Sequence, residues 1–112
     1  MKIDFDNQKH EALVNNHDAL RKKYNKNGQE FADDILATFE VLRAADALAD
    51  VPRSYRPHPL QGSYKKCFAV DVTSKHRVIF RPNHDGDQNF RIDNFKTITS
   101  ILILEIFKDY HK

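Results

Sequence analysis

A chain of 112 residues with 40% apolar content is long enough for one compact core and too short for two, so a single domain over residues 1–112 is expected. The net charge of +2 lacks the overall basic excess of a histone-like protein, so any nucleic-acid surface has to be a local patch. The single Cys67 excludes an internal disulfide and supplies too few thiolates for a cysteine-built zinc cage. The early-polar N-terminus and the lack of an apolar stretch near ~20 residues fit a cytoplasmic protein without a membrane span.

Along the chain, residues 2–5 alternate polar and apolar, which predicts a short strand with Ile3 and Phe5 facing inward. From Asp6 to about Tyr24 the apolar spacing becomes helical. Asn15, Asn16 and Asp18 compete for backbone hydrogen bonds, so this segment reads as two short helices or one kinked helix. A stronger helix follows Gly28, with Phe31, Ile35, Leu36, Phe39, Leu42 and Ala45 at steps of three and four. It ends before Pro52, and a proline-rich loop without periodicity runs from Val51 to Ser63. Three strand-like runs complete the chain: CFAVDV with Phe68, Val70 and Val72 on one face, then HRVIF, then ITSILILEIF. Ile101 to Leu104 are apolar on both faces, as in an interior strand. Residues 83–97 form a polar connection too long for a tight hairpin. The expectation is an α+β domain with an N-terminal strand and two helices packed on a mostly antiparallel sheet of about four strands.

Three groups of residues stand out. His58 lies between Pro57 and Pro59, so its imidazole sits on a stiff mount; the alternative is a solvated loop histidine. At the end of the chain, Asp109 and His111 fall on one side of an extended backbone and Tyr110 on the other. The carboxylate can then orient the imidazole for proton transfer, unless the segment is a frayed polar end. Finally, Arg53, Arg56, Lys65, Lys66, Lys75, Arg77 and Arg81 cluster within thirty residues. Arg77, inside a strand, has the fork geometry to clamp a phosphate, and Arg56, Lys65, Lys66 and Arg81 are further phosphate or RNA candidates; solvated strand ends are the competing reading. Cys67 reads as a core residue. The remaining histidines lack metal-site spacing, and no metal or cofactor is expected.

The stretch HPLQGSYKKCFAVDVTSKHRVIF, followed by ILEIFKDYH, resembles the RelE/ParE superfamily of bacterial toxins, in its HigB-like branch. The matching pattern is an H-x-L-x-G loop, a strand, an aromatic-Arg-apolar strand, and a final strand ending in D-Y-H. Three features depart from it: His76 replaces the aromatic residue, Ser63 replaces an acid, and the 83–97 connection replaces a tight hairpin. The resemblance implies a RelE-like fold and a ribosome-dependent messenger-RNA endonuclease. It also implies a cognate helix-turn-helix antitoxin of HigA type, through which alone operator DNA would be bound. His58, Asp109, Tyr110 and His111 match the family's catalytic set, and Arg77 matches a phosphate-contacting position.

These residue types suit cleavage through the RNA 2′-hydroxyl. One imidazole serves as base and the other as acid, cations stabilise the phosphorane, and Tyr110 stacks on a base or positions the phosphate. Two other functions fit the same fold: a toxin that poisons gyrase by binding protein, and a non-catalytic regulatory module.

Overall fold

The computed structural model describes residues 1–110. Strand β1 (Lys2–Phe5) leads into three helices, α1 (Gln8–Val14), α2 (His17–Tyr24) and α3 (Phe31–Ala44). Strands β2 (His58–Pro59), β3 (Phe68–Asp71), β4 (His76–Pro82) and β5 (Ser100–Asp109) follow. The asparagine pair that interrupts the sequence pattern does so by capping. Asn15 closes α1, and the Asn16 side chain accepts from the Ala19 amide at 3.1 Å to start α2. The segment is thus two short helices, as one of the two readings had it, and the described residues hold three α-helices in all where the fold class expected two.

The sheet is mostly antiparallel, as expected, but with one strand more than the expected four or so and one parallel pair. It has five, in the order β1-β5-β4-β3-β2, and β1 runs parallel to β5 while the other pairs are antiparallel. β1 can pair in parallel because the helices and three strands intervene before the chain returns beside it. The extra strand is the His58–Pro59 pair within the proline-rich loop, lying against Ala69 and Phe68. Its place at the sheet edge suits a proline, which has no N–H to offer a further neighbour.

The helices cover one face of the sheet. Leu20, Ile35, Phe39 and Leu42 pack with Val70, Val78, Phe80, Ile101, Ile103 and Ile106, and Phe5 stacks on Phe39 at 5.7 Å. β5 is interior, as its two-faced apolarity requires. On the other face a smaller cluster of Leu60, Cys67, Ala69 and Ile79, joined by Tyr64 and Leu104, fills the middle and leaves both ends open for polar side chains. Cys67 is buried there, and burial raises its thiol pKa.

The 83–97 connection is largely exposed but anchored. His84 Nε2 accepts the amides of Thr99 and Ser100 at 3.0 and 3.1 Å, while Nδ1–H donates to Asp87 and the ring stacks on Phe90. Further along, the Arg91 amide donates to Thr97 Oγ1, whose hydroxyl lies against the Arg91 and Asn94 carbonyls.

Candidate active site

Four strand ends meet on the open face of the sheet. β3 ends at Asp71, Arg77 lies opposite it as the second residue of β4, β5 ends just before Tyr110, and β2 with the loop entering it supplies His58 and Arg56. The Tyr110 amide donates to the Lys75 carbonyl at 2.9 Å, which ties the end of β5 to the β3–β4 turn. The tyrosine is thereby held rather than frayed.

Tyr110 is the centre of the cluster. Its hydroxyl donates a short hydrogen bond to Asp71 Oδ1 and accepts from the Arg56 guanidinium at 3.3 Å. Arg56 Nε donates to the other Asp71 oxygen at 2.7 Å. The Arg77 guanidinium lies over the Tyr110 ring, 4.6 Å from its centre, and that of Arg56 lies 5.9 Å from it. Burial, and then the bond to Asp71, raises the phenol pKa, so Tyr110 is a neutral O–H donor at neutral pH.

The His58 ring lies 6.4 Å from the Tyr110 ring, nearly parallel to it at 14°. Its Nδ1 is 2.5 Å from the Arg56 carbonyl, which can only accept, so Nδ1 carries the proton. In the neutral form of that tautomer the lone pair is on Nε2, the arrangement a general base needs. Arg56 makes this contact from a left-handed backbone conformation, φ 49°, immediately before a proline. A non-glycine residue in that conformation carries strain of about 1–3 kcal/mol.

Arg77 Nε is buried with no hydrogen-bond partner among the described residues. Lys108 stands opposite Arg77 across the β4–β5 pair and adds positive charge. An unsatisfied buried donor among cations is suited to an incoming phosphate oxygen.

Of the residues expected from sequence, Arg56, His58, Arg77 and Tyr110 come together. Asp109 lies opposite His76 in the β4–β5 register, and its charge acts on that imidazole. His111 lies outside the described residues. Lys65, Lys66 and Arg81 are elsewhere: Arg81 is four residues from Arg77 along β4, roughly 13 Å at the usual strand rise.

Asp71 was missed by the sequence reading. It lies in an alternating strand and has no motif around it; its only signal was its place opposite Arg77 in a hairpin register. His76 replaces the aromatic residue of the resembled pattern and acts as one. It stacks on Phe107 with centres 3.9 Å apart at 9° and lies 5.5 Å from Phe31. Burial lowers its pKa, partly offset by Asp109 and reinforced by Lys75, so the ring is neutral at pH 7.

No family model matches the chain, and no curated protein matches it significantly. Solved structures do match. A histidine-to-glutamine mutant of YafQ from E. coli aligns at a TM-score of 0.57 and 16% identity, over 98% of this chain and 93% of that one. The YoeB–YefM complex from Staphylococcus aureus aligns at 0.56 and 14%, over 98% of both chains. The YoeB/ParE toxin from Agrobacterium tumefaciens aligns at 0.54 and 13%, over 98% of this chain and all of that one. The chain has the same fold as these structures.

Proposed function

We propose that this chain is the toxin of a type II toxin–antitoxin system, of the HigB-like branch, and that it cleaves messenger RNA on the ribosome. The observation that carries the reading is the convergence of His58, Tyr110 and two arginines on one face of the sheet. A site for protein binding alone does not need an imidazole with a fixed tautomer beside an unsatisfied guanidinium.

RNA carries its own nucleophile. His58 Nε2 takes the proton of the 2′-hydroxyl, the 2′-oxygen forms a bond to phosphorus, and the bond to the 5′-oxygen breaks. His111, directly after Tyr110 in the chain, returns a proton to the leaving oxygen. Arg77 and Arg56 neutralise the charge that grows on the phosphorane, and the Tyr110 hydroxyl donates to a phosphate oxygen. For this, the phosphate displaces Asp71 from Arg56, so the carboxylate holds the guanidinium in place until substrate arrives. The ribosome supplies much of the RNA positioning, which reconciles the chemistry with a net charge of only +2.

The partners are the ribosome with its messenger and a helix-turn-helix antitoxin of HigA type, through which operator DNA would be contacted. The location is cytoplasmic; among the described residues no helix is long and apolar enough to cross a membrane.

Induction in a bacterial host tests the reading. Wild type should arrest growth and cut messenger RNA, and His58→Ala and His111→Ala should do neither. Arrest with intact messenger and inhibited gyrase would instead assign a protein-binding toxin, and a harmless wild type would assign a regulatory module.

A further inference from the structure

A groove of about 460 Å³ separates the loop around residues 59–67 from the 92–95 stretch of the long connection, and Leu60, Cys67, Phe68 and Phe95 line it. Ile92, at 40% the exposed large hydrophobic residue among those described, stands in its wall. The same Ile92, with Lys66, bounds an adjoining hollow of about 230 Å³ that reaches Arg81 and Phe90. The groove is preformed, because His84 and the Arg91–Thr97 bonds fix the connection that carries Ile92.

Lys65, Lys66 and Arg81 rim this surface, and none of them is in an ion pair among the described residues. Asp93 is the one carboxylate in the lining. In the active site, by contrast, Arg56 is already bound to Asp71.

We propose that this groove seats an acidic, amphipathic segment of the antitoxin polypeptide, with an aliphatic or aromatic side chain beside Ile92 and carboxylates on the basic rim. The partner's identity rests on the toxin reading; the chemistry of the groove does not. An apolar hollow edged by unpaired cations fits a helix or strand with alternating Leu and Glu. RNA is the poorer occupant, because the floor is aliphatic and thiol in part and offers few hydrogen-bonding groups to base edges.

The test uses the full chain and a fluorescent synthetic helical peptide of Leu and Glu at i, i+3, i+4 spacing, with a Lys-for-Glu version as control. Anisotropy should show the acidic peptide binding at least ~10-fold tighter than the basic one. Bound peptide should slow alkylation of Cys67, the chain's single thiol, and Ile92→Asp should weaken binding about tenfold. Equal binding of the two peptides, an unprotected Cys67 or an indifferent Ile92→Asp would overturn the proposal. Protection of Cys67 by an oligouridylate that displaces the peptide would assign the groove to RNA and also overturn it.

In cells, Ile92→Asp should still arrest growth but escape rescue by the co-expressed antitoxin. Arrest with full rescue would overturn the groove and leave the toxin reading intact. No arrest by wild type would remove the antitoxin as partner, whatever the peptide shows.

Discussion

The two ends of the open sheet face use similar side chains in opposite ways. At the end formed by Asp71, Arg77 and Tyr110, the key side chains hold one another: Arg56 is held by Asp71, Tyr110 by both, and His58 by a backbone carbonyl. At the end formed by Lys65, Lys66 and Arg81, the cations have no ion pair among the described residues and the surface between them is largely apolar. Chemistry on a phosphate needs donors fixed before the substrate arrives, and polypeptide docking needs area and complementary charge more than fixed geometry. One bundle of strands can supply both because β3 and β4 span the face from one end to the other.

The comparison can be broken first at the rigid end. His58→Ala should lower messenger cleavage by roughly 10²- to 10⁴-fold with an unchanged circular dichroism spectrum. A loss of only a few-fold would remove His58 from the proton transfer. Next, His84→Ala should cost about 2–3 kcal/mol in urea denaturation, because the Thr99 and Ser100 amides lose their acceptor. It should also loosen the connection carrying Ile92, so peptide affinity falls while cleavage per folded molecule is retained. Asp71→Asn keeps the shape but weakens the hold on Arg56 and Tyr110; cleavage should fall about tenfold, one charge-assisted hydrogen bond's worth. If cleavage rises instead, Asp71 is a brake rather than a positioning group.

The smallest effect concerns pH. His76 has a lowered pKa in the fold, so between that value and the ordinary value of about 6.5 the unfolded chain binds the extra proton. Stability should therefore fall as pH drops below about 6.5, and His76→Phe should flatten that dependence while preserving the stack on Phe107. A slope unchanged in His76→Phe would place the titration elsewhere.

The helices and inner strands were readable because their signals are local and periodic. Ile35, Phe39 and Leu42 mark one face of α3, and Ile101 to Leu104 mark a buried strand. The edge strand at His58–Pro59 was not readable, since two residues carry no period and the prolines around them signal a loop. The parallel pairing of β1 with β5 depends on where the chain ends return in space, which no spacing encodes. In the site, His58 and Tyr110 stood out through unusual neighbours, Pro57 and Pro59 for one and an acid and an imidazole for the other. Asp71 has ordinary neighbours and acquires its role only from the β3–β4 register. For the same reason Lys65, Lys66 and Arg81 looked like part of one basic cluster when they belong to the other end of the sheet.

The most direct measurement is the cleavage of a ribosome-bound messenger carrying a single 2′-deoxy substitution at the cut nucleotide. If His58 works on the 2′-hydroxyl, the unmodified messenger is cut to a 2′,3′-cyclic phosphate or its 3′-phosphate product, and the deoxy version stays whole. Equal cleavage of both messengers, or a 3′-hydroxyl product, would contradict the account.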